Sequence, residues 1–458
     1  MDCCMNSSLD GEAMTNQIKQ LKLATMLIAP GASSGRWRHP SHQAAPASLD
    51  FYTQLARKAE QGKLDFIFQP DQYRTPGTTP EEFRHHANVG LEPMTLLSAL
   101  AAVTEHIGLA VTLSTTYHEP YHVARMIASL DQLSGGRASW NIVHSRGDLE
   151  AANFAMSHRP GPEERAAHGM QFVDIVKSLW DSWEDEAIVA DKEQGIYADP
   201  DKVHLLDYES EWFSVKGPLN VARPPQGHPV LIEAGQSEAF MTRAARHADV
   251  VFTMLNEMNQ AKSFYRSLKG KLPAYGRQSN DLLIMPGLNL CVGRTDAEAR
   301  AKKAELDALG GKQPRLDMIS YMIGLDVQTY HLTSTSLLPS ADIVPEHHPY
   351  RQRRALADQH GLTTVQQLFE LMSQLQGHLS ITGTPSHIAD VLEQWLMEEA
   401  ADGFIYIPSL LPDGVDDLVH LVIPELQRRG LFRAEYEGQQ LRTQLGLARP
   451  WNTFASRQ

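Results

Sequence analysis

The chain has 458 residues, 42% of them apolar, and a formal net charge of −14. That length suits one large domain with insertions or two ordinary ones, and the acidic balance argues against nucleic acid or an anionic membrane as the main partner. The three cysteines are Cys3, Cys4 and Cys291. They form neither a disulfide framework nor a metal cage, and they fit a reducing compartment. The first residues hold no long apolar run, so neither a secretory leader nor a membrane span is expected, and the cytoplasm is the expected location.

Residues 1–20 are polar and mixed and read as a tail. Leu21 to Ile28 is the first strand, and residues 30–35 form a Gly- and Ser-containing loop. A helix spans Leu49 to Gln61. Phe66 to Phe68 is the second strand and runs directly into Asp71. Pro93 to Glu105 has helical spacing, and Ile107 to Leu113 is the third strand, just ahead of Ser114 to Tyr117. The next helix starts at Pro120, where a missing N–H costs nothing. Val123, Met126, Ile127 and Leu130 give it one apolar face, Gly135-Gly136 breaks it, and Ala138 to Val143 is the fourth strand. A helix with Phe172, Ile175, Val176, Leu179 and Trp180 on one side follows. Residues 185–227, acidic and aromatic, read as an insertion with a short hairpin.

Pro229 to Ile232 is a short apolar run with β-branched residues, the mark of a buried strand. Gly235 permits a sharp turn. Ser237 is placed to cap a helix defined by Phe240, Met241, Ala244, Ala245 and Ala248. Backbone N–H groups and the dipole at such a helix start favour an anion, most simply a phosphate. The same letters resemble a G-x-S-x-G nucleophile elbow with Ala239 in the last position. On the residues alone, Ser237 is a phosphate ligand, a nucleophile or a plain N-cap. Asp249 to Phe252 is the sixth strand, and Leu282 to Val292 contains the seventh. Residues 310–361 show little regular pattern and carry His347-His348, which reads as a second insertion. Ile388, Val391, Leu392, Trp395 and Leu396 mark an amphipathic helix. Gly403 to Ile407 is the eighth strand, and Val415 to Leu431 the closing helix.

Short apolar strands alternating with amphipathic helices mean a parallel sheet. About eight such units point to an α/β fold of the (β/α)8 TIM-barrel kind, spanning residues 21–432 with insertions near 185–227 and 310–361 and a C-terminal arm over 433–458. The site of such a barrel lies at the C-terminal ends of its strands. The residues there are Asp71, Thr112 to Thr116, Asn141 to Ser145, Ala234 to Ser237, Thr253 and Pro408. Small polar groups dominate that set, which suits a flat polar ligand better than a catalytic dyad.

Several segments carry a family likeness in order and spacing. They are Trp37-Arg-His-Pro40, Phe66-Ile-Phe-Gln-Pro-Asp71, Ala110-Val-Thr-Leu-Ser-Thr-Thr-Tyr117 and Ser134-Gly-Gly-Arg-Ala-Ser-Trp-Asn-Ile-Val-His-Ser145. Asn153-Phe154, Leu179-Trp-Asp-Ser-Trp-Glu-Asp185, Gly235-Gln-Ser237, Gly383-Thr-Pro385, Ala401-Asp-Gly-Phe404 and Pro424-Glu-Leu-Gln-Arg-Arg-Gly430 follow. With these the chain resembles the bacterial luciferase-like flavin-dependent monooxygenases, and more narrowly the nitrilotriacetate monooxygenase component A group. That group includes alkane, dibenzothiophene-sulfone and EDTA monooxygenases and pristinamycin synthase subunits. The resemblance implies a luciferase-like barrel that binds reduced FMN supplied by a separate NAD(P)H:flavin reductase. It implies insertion of one oxygen atom from O2 into a small organic substrate through a flavin peroxide, and assembly as a homodimer or homotetramer. It places Asp71 and Thr112 near the isoalloxazine, with Asn141, His144 and Ser145 at the end of the fourth strand. Gly235, Ser237 and Arg165 fall at the phosphate. The catalytic acid or base stays open, with His144 and His118 as weak candidates.

Two positions depart from the family pattern. Ala166 stands where the family has tyrosine, and Phe240 where it has glycine, both at the phosphate end. They motivate a second reading, a catalytically silent flavin-binding subunit. A third reading is a serine hydrolase with Ser237 as nucleophile, but no HGGG-type oxyanion motif accompanies it. His118-Glu-Pro-Tyr-His122 matches H-E-x-x-H in letters. A zinc site needs both histidines on one formed helix, and Pro120 fits a helix start, not an interior, so no metal is expected. No G-x-G-x-x-G or P-loop is present, which fits a flavin reduced elsewhere.

Overall fold

A computed structural model describes residues 19–28, 36–42, 48–75, 79–85, 87, 89–145, 148–154, 161–309, 316–346, 348–375 and 377–455. Most of the N-terminal tail, the loop at 30–35, His86 and His347 lie outside the described residues.

Nine parallel strands form the main sheet. In chain order they are β1 (Lys22–Met26), β2 (Phe66–Gln69), β3 (Gly108–Ser114), β4 (Ala138–Val143), β5 (Val230–Ala234), β6 (Val250–Thr253), β7 (Leu283–Val292), β8 (Leu379–Gly383) and β9 (Gly403–Tyr406). Eight of them close a barrel in the order β1-β2-β3-β4-β5-β6-β7-β9, with β9 returning to β1. Register fixes the layers: Ala24 pairs with Phe66, Phe66 with Gly108, Thr112 with Asn141, Asn141 with Ile232, and Ile232 with Val250. The strand after the sixth was expected within Leu282–Val292, and ten residues of it are strand. Its length lets it pair with β6 at its start, β9 in the middle and β8 at its end.

Alternation along the strands separates two apolar layers. Ala24, Met26, Phe66, Phe68, Ala110, Val230, Ile232, Val250, Leu283, Met285 and Ile405 fill the barrel. Leu23, Leu27, Ile67, Leu109, Val111, Trp140 and Leu231 face outward into the helical ring. The helix starts follow local chemistry. Ser48, Ser237 and Thr384 each accept a backbone N–H at the third helical position, and Pro120 opens its helix as expected. Gly135, at φ +68°, ends the Pro120–Ser134 helix in the left-handed conformation that glycine adopts freely.

Three differences from the sequence-based expectation have physical causes. β8 is an extra strand that pairs only with the end of β7; its alternating Leu-Ser-Ile-Thr-Gly pattern lacks the continuous apolar run of a barrel strand. The region read as irregular holds helices at Leu316–Ile323 and Pro349–Gln359, followed by a third at Val365–Leu375. These helices share a small core of Ile319, Met322, Ile323, Tyr350, Leu368 and Met372. Only Tyr350 and Ala357 are buried along Pro349–Gln359, so its sequence shows almost no apolar period. The closing helix is split into Asp413–Asp417, a π turn over Leu418–Val422 and Ile423–Arg428. Pro424 cannot donate to the preceding turn, and the π turn absorbs the lost bond. The segment after residue 433 packs against the barrel. Leu441, Leu445 and Leu447 join the barrel-filling cluster.

Among the described residues no helix is long and apolar enough to cross a membrane.

Candidate functional site

The C-terminal ends of β2, β3 and β4 hold a connected set of small polar groups. Thr112 Oγ1 donates to the Gln69 carbonyl at 2.7 Å, and Asn141 Nδ2 donates to Thr112 Oγ1 at 2.9 Å. Asn141 is 4% exposed, and its Oδ1 has no hydrogen-bond partner although it is buried. A buried acceptor left open in this way costs stability unless something fills it. One layer further out, Ser114 Oγ donates to Ser145 Oγ at 3.0 Å and accepts from Thr116 N at 3.1 Å. His144 Nδ1 lies 2.7 Å from Thr115 Oγ1.

His144 is held from the outside by the helix Pro162–Asp181. A Cβ on Gly169 of that helix would fall 2.2 Å from His144 Cε1, so the ring lies against bare backbone. Gly169 had no signal in the sequence, because nothing local distinguishes it from any other helical glycine. Arg165 sits one turn earlier on the same helix and is half-buried.

Asp71, just past β2, is partly buried. Burial raises its carboxyl to about 6, with the Glu92 and Glu150 charges adding to the rise and the Gln72 N–H opposing it. Next to it Tyr73 ties two loops together. Its N–H donates to Glu150 Oε1 at 3.1 Å, and its hydroxyl accepts from Ser114 N at 3.2 Å. Tyr73, Tyr117 and Phe154 pack as a cluster, with Tyr117 and Phe154 stacked at 4.3 Å. Tyr73 and Glu150 were not singled out from sequence; both act through loops whose contacts no periodicity encodes. His118 Nδ1 donates to the Ser114 carbonyl at 3.0 Å and lies in the turn before its helix, while Pro120 and His122 are on the helix. The two histidines of the H-E-x-x-H letters therefore do not share one helical turn. Burial lowers the His118 pKa and keeps its ring neutral.

At the end of β5 the chain turns at Gly235, whose N–H donates to the Phe252 carbonyl at 3.2 Å, and enters the helix Glu238–His247. Ser237 is its N-cap, with φ −74° and ψ 160°, and its Oγ accepts from Phe240 N at 3.2 Å. The backbone there is ordinary extended chain without the strain of a nucleophile elbow. Among the described residues no imidazole bonds the Ser237 hydroxyl. Ser237, Glu238 and Ala239 are exposed, so the helix start is open to solvent. Phe240, in the place of the family's glycine, is 5% exposed and buried in the outer layer beneath the turn. Its ring fills space under Gly235 and leaves the exposed start of the helix clear.

The site therefore brings Asp71, Thr112, Asn141, His144 and Ser145 together around the β2–β4 ends. Gly235 and Ser237 stand at the end of β5, the strand next to β4, and Arg165 on the helix behind His144. Small hydroxyls and one amide line the mouth, backed by the His144 imidazole and by the Asp71 carboxyl, which burial raises to about 6.

A closed parallel barrel with a polar mouth at its strand ends defines an α/β-barrel enzyme. Residues 33–401 match the family described as luciferase-like monooxygenase. The chain is 43% identical over 451 residues to nitrilotriacetate monooxygenase component A of Aminobacter aminovorans, covering 95% of this chain and 98% of that one. It is 40% identical over 449 residues to N-acetyl-S-(2-succino)cysteine monooxygenase of Bacillus subtilis, covering 96% and 100%. Among solved structures, a riboflavin lyase with modified FMN and riboflavin superposes with a TM-score of 0.83 at 29% identity, over 93% of this chain and 96% of that one. The chain belongs to the luciferase-like monooxygenase family, and its class is that of the flavin-dependent monooxygenases.

Proposed function

We propose that this chain is the oxygenase component of a two-component system. It takes reduced FMN from a separate NAD(P)H:flavin reductase and oxygenates a small organic molecule. The observation that carries this reading is the open, buried Oδ1 of Asn141 within the Thr112–Asn141 pair. It is an acceptor waiting for a donor, and a flavin ring carries an N–H of the right kind. Thr112, Asn141, Ser145 and His144 would hold the ring, with Asp71 at its edge. Ser237, the free N–H groups of its helix and Arg165 would hold the phosphate. Reduced FMN supplies two electrons that split O2, one oxygen atom entering the substrate and the other leaving as water.

The protein's own part is positional. The Tyr73–Tyr117–Phe154 cluster braces the loops after β2 and β3 beside the site, and the hydroxyl pairs would orient the ring without adding charge. The sequence relatives suggest a substrate panel of nitrilotriacetate and N-acetyl-S-(2-succino)cysteine. Homodimeric or homotetrameric assembly belongs to the same reading.

Two titrations test it. The wild-type chain is expected to bind FMN more tightly than riboflavin, and Ser237→Ala to narrow that gap. With a flavin reductase, NADH and ¹⁸O₂, one labelled oxygen is expected in a panel product. Absence of FMN binding at tens of micromolar, in either redox state, overturns the proposal. FMN binding with no oxygenated product from any panel compound favours the silent flavin-binding subunit. Fluorophosphonate labelling abolished by Ser237→Ala would favour the hydrolase.

A further inference from the structure

Position 287 continues the inward row of Leu283 and Met285 on β7, yet it is glycine. A Cβ there would lie 2.1 Å from Nδ1 of His378 and 2.8 Å from its Cε1 and Cγ. The imidazole therefore occupies the volume that a side chain at 287 would fill. It comes from a remote part of the chain, the turn between the helix Val365–Leu375 and β8. Its ring packs on Phe252 at 5.4 Å between centroids, and Phe252 in turn meets Phe68, an inward residue of β2. The helical insertion thus reaches into the barrel through one side chain.

That side chain is a polar group in an apolar seat. Its Nδ1 is buried and has no hydrogen-bond partner among the described residues. Burial lowers its pKa to about 4, so the ring is neutral at pH 7, with one donor and one acceptor nitrogen. An imidazole is a poor choice for packing against Phe252 and a bare glycine. A leucine or phenylalanine would fill the same space without stranding a buried polar nitrogen. The pairing makes sense if a bound molecule uses the imidazole.

We propose that His378 contacts the small molecule bound in the barrel mouth, hydrogen-bonding a carbonyl or N–H group of it, and that Gly287 is glycine to seat that ring. The inference rests on the monooxygenase reading for the identity of the molecule. The same chemistry is offered by the flavin ring and by a carboxyl- or amide-bearing organic substrate.

The test uses the full chain with ¹³C-labelled histidines, the His378 signal being identified by its loss in His378→Gln. FMN is titrated first, then each panel compound onto the FMN-loaded protein. A shift of the His378 signal with FMN alone marks a flavin contact, and a shift only with a panel compound marks a substrate contact. His378→Phe keeps the ring and removes both nitrogens. It is expected to weaken the same ligand about ten-fold, the size of one lost hydrogen bond, at an unchanged Tm. Gly287→Ala displaces the imidazole and is expected to reproduce that loss. Should Gly287→Ala lower Tm, the Gly287→Ala, His378→Ala double variant relieves the clash and still shows the loss. An unmoved signal, with His378→Phe binding both ligands as wild type does, overturns the assignment while leaving the flavin reading intact. Failure of the wild type to bind FMN overturns both.

Discussion

Gly235 and Phe240 are built around each other: a Cβ on residue 235 would stand 2.6 Å from Phe240 Cδ2 and 2.7 Å from its Cγ. Arg243 covers the ring at 5.4 Å and pairs with the buried Glu233 at 3.1 Å. The departure from the family's glycine is therefore absorbed under the turn. Gly235→Ala must push a buried aromatic ring, at a cost of about 1–3 kcal/mol. Phe240→Ala leaves a cavity and costs about 3–5 kcal/mol. Urea denaturation measures both. Neither variant is expected to bind FMN more tightly than wild type, and a Phe240→Gly protein with raised FMN affinity would show that the ring obstructs the phosphate end.

Asn141 presents the opposite balance. Its amide gives one hydrogen bond to Thr112 and leaves Oδ1 open, so the folded chain gains little from it without a ligand. Asn141→Ala is expected to change unfolding free energy by no more than about 1 kcal/mol. The same variant is expected to weaken FMN binding about ten-fold or more, because the ring loses an acceptor pre-oriented by Thr112. Fluorescence quenching of FMN reads the second effect, and a stability loss as large as the binding loss would make Asn141 a packing residue instead.

The barrel was legible because its strands are buried on both faces. Pro229 to Ile232, Ala138 to Val143 and Ile107 to Leu113 read as apolar runs, and the polar residues that follow each run fall at the mouth by connectivity alone. Asp71, His144 and Ser145 fell at the mouth for that reason, while Thr112 and Asn141 lie within the runs, near their C-terminal ends. β8 was not, because Leu379–Gly383 pairs on one side only and alternates in polarity. The helix Pro349–Gln359 was hidden by Arg351, Arg353 and Arg354, which leave two buried positions to show a period. His378 was invisible for a deeper reason. Its seat beside Phe252 depends on a missing side chain at Gly287, and no local pattern links the two.

Asp71 gives a pH signature. Burial, with Glu92 and Glu150 nearby, raises its carboxyl from 3.8 to about 6 in the folded chain. The folded state then holds the proton more tightly than the unfolded state. Stability is lost as pH rises from about 4 through 6, and the loss is fully present above that window. Asp71→Asn removes the effect. The variant is expected to match wild type at pH 4 and to exceed it by about 1–2 kcal/mol at pH 7.5, after allowance for the part of the side chain that water reaches. Thermal melts across that range measure the difference. Equal stability at both pH values would mean that the carboxyl titrates normally.

The last segment of the chain closes the end of the barrel opposite the mouth, and the same contacts predict how it fails. Leu441 N donates to the Gly136 carbonyl and Gln444 Nε2 to the His106 carbonyl, both just before barrel strands begin. Arg442 donates to the His228 carbonyl at 2.6 Å and pairs with Asp249 Oδ2 at 2.6 Å, while Asp249 Oδ2 also accepts Leu231 N at 2.9 Å. Removing Arg442 leaves the buried Asp249 carboxylate to the more distant Arg277, 3.9 Å away, so Arg442→Ala is expected to cost up to about 3–5 kcal/mol. Leu441→Ala opens a cavity under β3 and is expected to cost about 2–5 kcal/mol. Below the transition both variants are expected to bind FMN as wild type does, since the lost contacts lie at the far end of the strands. Deletion of residues 433–458 that leaves the urea midpoint unchanged would show that this segment is dispensable to the fold, and a specific loss of FMN affinity in Arg442→Ala would show that the floor is coupled to the site.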